Sequence, residues 1–354
     1  MGRIKRPGLL GVLVCALALA LALALAACGS SSSSSSGGSG TSSSSTPKSS
    51  FKLGVVTDVG GLNDHGFNHL AYEGMLESEK ELGVQGRVLP AGTSADYVPD
   101  LTTLAREGYN LVIATGFNFE EPLAEVAKEF PNTKFAIIDD TAADIKGNLK
   151  NVEGLTFESQ QAGYLAGTVA GLVSKAKGYK EISSVSGENY PSVTSYVAGY
   201  QQGAKAADPG ITTVNAFSDD FADQSKCQTI AQNQISQGAK IIFQVAGGCG
   251  LGALQAAKKA GLYGIGVDAD QSFLGSYILT SAEKKVDTAV VDATKGAMSG
   301  KFKGGTDLNF DLANGGVGFG KLNSEGEKYA SQLAAVAAKI KSGAIKVTLK
   351  YSNT

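Results

Sequence analysis

Tryptophan is absent from this chain of 354 residues, and histidine occurs only twice, as His65 and His69. No group of histidines, cysteines and carboxylates has the spacing of a structural zinc site, so no metal is expected. Neither sign of charge is in excess. The net charge is −2, and it becomes −5 once the three basic residues of the opening segment are set aside. No basic stripe runs through the sequence, which excludes nucleic acid as an expected partner. Cysteine is scarce too, at four residues, and two of those fall in the first 28 positions.

That opening segment is not part of a fold. Arg3, Lys5 and Arg6 precede an apolar run of Leu, Ala and Val over residues 9–27, which ends in LAAC at residues 25–28. A charged start, an apolar middle and small residues before a cut site describe an export signal. The run is nearly long enough to span a bilayer, so an uncleaved anchor is the alternative. LAAC resembles the end of a bacterial lipoprotein signal, in which Cys28 takes the lipid and becomes the first mature residue. Residues 28–50 are rich in Ser and Gly and cannot bury a core. They read as a flexible tether. The expected location is therefore the extracytoplasmic face of a cell membrane, with the protein held there by acyl chains such as palmitate.

The remaining 304 residues, from Phe51 to Thr354, suit two domains. Amphipathic helices ending at Gly or Pro are followed repeatedly by apolar runs of four to six residues, as in LAEVAKEFPNTKFAIIDD and IAQNQISQGAKIIFQVAGG. Continuous apolar runs between helices predict parallel strands covered on both faces, hence an α/β fold. Strands are predicted at 52–57, 87–90, 111–115 and 135–139, then at 182–185, 213–217, 241–245 and 264–268. A ninth follows at 277–281, with a helix from 286 to 300 and another near 331–341. The chain divides between 156 and 182. Strand ends carry Gly, Asp or Thr, and ligands of open α/β sheets sit at the carboxyl ends of strands. Cys227 and Cys249 remain for the exported body, where a disulfide is permitted. Two buried free thiols are the alternative.

Several segments resemble one family in order: TDVGGLNDHGFN (57–68), YVPDLTTLAREGYNLVIATGF (97–117), KFAIID (134–139), FQVAGGCGLGAL (243–254), GIGVDADQ (264–271) and TSAEKKVD (280–287). They look like the basic membrane lipoproteins, purine nucleoside receptors that serve ABC importers as substrate-binding components. The resemblance implies a type I periplasmic-binding-protein fold. Two Rossmann-like lobes with parallel sheets would enclose a ligand cleft, with residues 51–158 and 281–308 in the first lobe and 159–280 and 309–354 in the second. It implies a monomer that binds a nucleoside without catalysis or cofactor, and ABC permease and ATPase subunits as partners.

The site residues follow from that match. Phe67 is expected to stack on the base, with Asn63 and Asp64 beside it, although Asp64 is equally a natural N-cap for the helix that follows. Asp139 and Asp268 end strands in the two lobes and would accept from ribose hydroxyls. Lys284 would donate to the base edge. Tyr196 would supply the opposite stacking face, and Gly247 would bring backbone close to the ligand. The run from Gly248 through Gly250 to Ala253, with Asp268 beyond it, also fits a dinucleotide fingerprint. That pattern is the ground for a contrary reading, an exported NAD-dependent oxidoreductase. A sugar-binding protein or a ligand-sensing receptor of the same fold is the nearer alternative.

Overall fold

In the computed structural model, which describes residues 49–352, the apolar runs alternate between two cores. The expected export signal, Cys28 and all but the last two residues of the tether lie outside the described residues. Strand β1 (Lys52–Thr57) sends Leu53 and Val55 into one core and Val56 into another. A period of two residues with both faces buried is the signature of an interior parallel strand. Helix α1 (Phe67–Leu82) follows, then β2 (Gln85–Pro90), α2 (Tyr97–Arg106), β3 (Leu111–Thr115), α3 (Glu120–Glu129), β4 (Lys134–Ile138) and β5 (Val152–Phe157). In β3, Leu111 and Ile113 face the α1 side while Val112 and Ala114 face the α2–α3 side. Each such side chain removed from water contributes about 1.5–3 kcal/mol.

The second half repeats the plan. Helix α4 (Ser159–Lys177) leads to β6 (Glu181–Ser186), α5 (Pro191–Ala207), β7 (Thr212–Phe217), α6 (Gln224–Gln237), β8 (Ala239–Val245), α7 (Gly247–Lys259), β9 (Tyr263–Asp268) and β10 (Ile278–Lys284). Helix α8 (Val286–Met298), β11 (Asp307–Phe310), β12 (Val317–Phe319) and α9 (Ala330–Lys341) complete the chain. The sheets run β11-β5-β4-β3-β1-β2 and β12-β10-β9-β8-β6-β7, so both halves place their strands in the same order. All pairs are parallel except β10 with β12. This is the α/β, two-lobed arrangement that the sequence resemblance implied.

Three segments cross between the lobes: β5 into α4, β10 into α8, and β11 into β12. The second and third crossings lie later than the sequence boundaries at 281 and 309. Ser281 to Glu283 pair with β9, and Ala282 to Lys284 pair with β12, so β10 stays in the second sheet through Lys284. Likewise Asn309 and Phe310 pair with β5 and belong to the first lobe. Helix α8 returns to that lobe and packs Val286, Ala289, Val290 and Ala293 against α1. Gly74 of α1 permits the contact, since a Cβ there would meet the Asp287 carbonyl oxygen at 2.6 Å.

Candidate functional site

Parallel strands end on the same edge of a sheet, and here the two carboxyl edges face each other. Between them lies a cavity lined by Asp58, Phe67, Asn68, Phe117, Asp139, Tyr196, Phe221, Gly247, Asp268 and Lys284, among others. Asp139 follows β4 and Asp268 ends β9, at equivalent places in the two lobes. Both hold positive φ, 71° and 61°. Aspartate is one of the few side chains tolerated there, and such backbone costs on the order of 1–3 kcal/mol. The turn directs each carboxylate into the cleft.

Lys284 joins them. Its Nζ lies 2.9 and 2.6 Å from the two Asp139 oxygens and 3.8 Å from Asp268 Oδ1. The lysine side chain is 2% exposed, and Nζ also sits 5.0 Å from the centroid of Phe67 and 5.2 Å from that of Tyr196. Burial pushes both carboxyls up, and the ammonium of Lys284 opposes it; Asp268 reaches about 6. The lysine thus joins the two acids within the cavity wall.

Tyr196 lines the same cavity. The Tyr196 hydroxyl donates to Asp268 Oδ1 at 3.0 Å, and its ring meets Phe243 edge-on in the core. It positions an acid while its ring borders the cavity. Besides Tyr196, the rings that share the cavity with Phe67 are Phe117, after β3, and Phe221, in the loop before α6. Phe117 and Phe221 stand edge to face with centroids 6.1 Å apart.

A second polar cluster sits at the end of β1. Asp58 Oδ1 accepts from Asn68 Nδ2 at 2.6 Å and from Gly60 N at 3.1 Å. Burial raises the Asp58 carboxyl to about 6, against the pull of the Asn68 hydrogen bond. Asn68 Oδ1 is buried with no protein hydrogen-bond partner. Asp64 lines the cavity, yet its oxygens accept from the N–H groups of Gly66, Asn68 and His69, so it caps α1 as well. Asn63, by contrast, is exposed and is not among the cavity-lining residues. The chain turns inward one residue later, at Asp64.

The glycine run opening α7 has packing duties. Gly250 lies against the Gln244 side chain and Gly252 against the Gln224 backbone, while Gly247, at φ 50°, faces the Phe221 loop. A disulfide ties Cys249 of α7 to Cys227 of α6, with Cα atoms 5.5 Å apart. The alternative of two free thiols is set aside. Among the described residues no cluster of His, Cys, Asp and Glu could hold a metal, and no helix is long and apolar enough to cross a membrane.

Comparison with known proteins bears on this geometry. The Bmp family model, described as ABC transporter substrate-binding protein, PnrA-like, matches residues 51–350. An ABC transporter nucleoside-binding protein of Lactococcus lactis is 32% identical over 302 residues, covering 79% of this chain and 84% of that protein. An uncharacterized lipoprotein of Pyrococcus horikoshii is 32% identical over 304 residues, covering 82% and 74%. The crystal structure of an ABC transporter solute-binding protein from Aeropyrum pernix superimposes with a TM-score of 0.75 at 27% identity, covering 85% of this chain and 94% of the other.

Proposed function

This chain belongs to the Bmp family of PnrA-like ABC transporter substrate-binding proteins, and from that premise we propose that it captures a purine nucleoside between its lobes for uptake. Membership brings a small-molecule ligand and ABC permease and ATPase partners. The observation carrying the purine reading is the cavity wall itself. Three phenylalanines, Phe67, Phe117 and Phe221, share it with two separate polar clusters.

A purine nucleoside has the matching parts. The base offers a flat π-face, and stacking on aromatic side chains is worth about 1–3 kcal/mol per base. Asp58 and Asn68 offer acceptors for N–H groups on the base edge. Asp139 and Asp268, braced by Lys284, suit the paired hydroxyls of a ribose. A buried polar group left without its partner costs about 1–3 kcal/mol, so ligands lacking those hydroxyls are rejected.

The reaction is reversible binding with no bond broken, and hinge motion at the three crossings opens and closes the cleft. The relative from Lactococcus lactis is described as nucleoside-binding, which favours the same ligand class here. Acylation at Cys28 would hold the monomer at the outer face of the membrane, and relatives named as lipoproteins favour that anchor. Titration calorimetry with adenosine, guanosine, inosine, pyrimidine nucleosides and hexoses tests the ligand. Saturable binding of purine nucleosides is expected, and saturable binding of hexoses alone would overturn the reading. For the anchor, Cys28→Ser should abolish acyl labelling and release the protein from membranes.

A further inference from the structure

Outside the ligand cavity, Gln271 Nε2 of the second lobe donates to His65 O of the first at 3.1 Å, and a further contact lies on the rim at Tyr190. Tyr190 belongs to the second lobe, in the loop between β6 and α5. Its hydroxyl reaches two carboxyls of the first lobe, Glu120 Oε1 at 2.7 Å and Asp140 Oδ2 at 3.3 Å. Glu120 opens α3, and Asp140 follows the cavity residue Asp139. The Tyr190 ring lies flat on Phe117, with centroids 3.9 Å apart and planes 7° apart. Since Phe117 also lines the cavity, the rim contact and the ligand space share one side chain.

The proton count at this rim is unbalanced. A phenol has one proton to donate, and here two carboxyls surround it. Asp140 is 5% exposed, and its other oxygen accepts from Thr141 N at 2.9 Å. The remaining charged groups do not relieve the crowding. Asp144 sits on the same turn and accepts from the Thr141 hydroxyl, and Asp307 accepts from Ala142 N. Asp139 and Glu158 border the groove on the crossover side, and Glu121 and Glu188 border it on the other. The cations are set back: Lys284 is engaged with Asp139, and Lys128 and Lys146 line the outer groove with Glu120 and Asp144. Two carboxyls this close under a covering ring favour the state in which one of them keeps a proton.

We propose that Tyr190, Glu120 and Asp140 form a proton-holding latch across the mouth of the cleft, which clasps the lobes together and lets go as pH rises. The direction follows from linkage. Closure brings Tyr190 over the pair and strips it of water, which raises the Asp140 carboxyl, first by burial and then by the neighbouring Glu120, to about 8. Opening returns the pair to water and lowers it again. The protonated form therefore favours the closed state, and the clasp is complete at low pH and lost as pH climbs through the raised value. Asp58 and Asp268, at about 6, take up protons mainly below this window.

Spin labels at Ala95→Cys and Gln232→Cys, both exposed and in different lobes, report the interlobe distance in the ligand-free protein between pH 6.5 and 9. The separation should lengthen with pH in the otherwise unchanged protein. It should stay short throughout in Asp140→Asn, whose amide imitates the protonated acid. Tyr190→Phe, which keeps the ring on Phe117, should be long at every pH, and Glu120→Gln should move the transition to lower pH. A separation independent of pH in the parent, or an Asp140→Asn protein that titrates like the parent, would overturn the latch. As to affinity, the readout rests on the nucleoside reading. Guanosine or adenosine should bind more weakly by up to about tenfold per pH unit up to about pH 8, levelling off above it, in the parent, and change within about twofold in Asp140→Asn. If no nucleoside binds while the distance still titrates, the ligand reading falls and the latch stands.

Discussion

Lys284 and Asp139 form a buried ion pair whose two members come from different lobes. The lysine ends β10 in the second sheet and the aspartate follows β4 in the first, with Nζ 2.6 Å from Oδ2. An ion pair within one lobe would contribute to that lobe's folding. This one joins the lobes, so the proposed hinge opening would separate the two charges and return them to water. Asp268, 3.8 Å from the same Nζ, shares the lysine with Asp139. The cation is therefore the centre of a three-residue cluster that exists in full only when the lobes meet.

Replacing Lys284 with Met tests that arrangement. Removing one member of a buried pair costs about 3–5 kcal/mol when the other charge stays buried. With the proposed hinge, the variant would escape most of that penalty by opening. We expect Lys284→Met to weaken nucleoside binding by about 100-fold or more, since each 1.4 kcal/mol is tenfold. Its melting temperature without ligand should move little. Calorimetry and thermal melts on the same sample separate the two effects, and a large loss of melting temperature with affinity retained would refute this account.

Phe221 should carry a stacking contribution of its own. It stands alone in the polar loop SDDFADQ, yet it lines the cavity and meets Phe117 edge to face. If the proposed base stacks there, Phe221→Ala removes a ring worth about 1–3 kcal/mol, or about 5- to 150-fold in affinity. Phe221→Leu should recover only part of that, because it restores apolar volume without a π-face. Equal affinity for the Leu variant and the parent would mean that the ring fills space and does not stack.

Much of this was legible in the sequence, and the omissions have physical causes. The eight strands of the two main blocks are found because a short, largely apolar run recurs between helices, even where Arg87, Ser183–Ser184 or Asn215 interrupts it. Strand β5 (VEGLTF) hid behind Glu153 and Gly154. Glu153 is 2% exposed inside the sheet, where its carboxylate accepts from Lys303 N, and Gly154 leaves room for the Asp140–Ala142 backbone. Strands β11 and β12, at four and three residues, are too short to show a period. Within the site, Asp139 and Asp268 were readable as acids at the ends of apolar strands. Asp58 stands at the end of β1 by the same rule and was passed over for Asn63 and Asp64, which lie in the more conspicuous loop. Phe117 and Phe221 gave no local signal, for only tertiary structure brings two loops from different lobes together. The bonds from Lys284 to Asp139 and from Tyr196 to Asp268 could not be read either, since partners distant in the chain leave no mark on a residue's own spacing.

Asp58 gives a prediction with a pH sign. As a carboxylate it accepts hydrogen bonds, and Asn68 Oδ1 beside it is an acceptor as well. Guanosine and inosine present an N–H donor at N1, whereas adenosine presents an acceptor there. Burial raises Asp58 to about 6, so it is ionised at pH 7.5 and protonated at pH 5. Guanosine should be favoured over adenosine at pH 7.5, and the preference should shrink as pH falls through 6. Asp58→Asn should show the small preference at every pH. Ratios of dissociation constants measured at pH 5, 6 and 7.5 check this, and a pH-independent ratio in the parent protein would exclude Asp58 from base recognition.

The Cys227–Cys249 disulfide should matter to stability more than to binding. It closes a loop of 22 residues between α6 and α7, for which chain entropy predicts about 3 kcal/mol of stabilisation. Both cysteines are buried in a small core with Val185, Ala231, Ile242 and Ala253, so alanine replacements also leave a little unfilled space. In a body of this size each kcal/mol moves the melting temperature by about 2–4 °C. The Cys227→Ala, Cys249→Ala protein should therefore melt about 6–12 °C lower, and the parent in a strong reductant should approach it. Helix α7 is still fixed at its start by Cys249 N donating to Phe221 O at 2.9 Å, a backbone bond that alanine keeps. That bond also holds the Phe221 loop against the cavity. Nucleoside affinity at 20 °C should then stay within about threefold of the parent, because the backbone contact and not the sulfur bridge places the ring. A disulfide-free protein that melts normally but binds more than tenfold weaker would reverse the assignment and make the bridge part of the binding site.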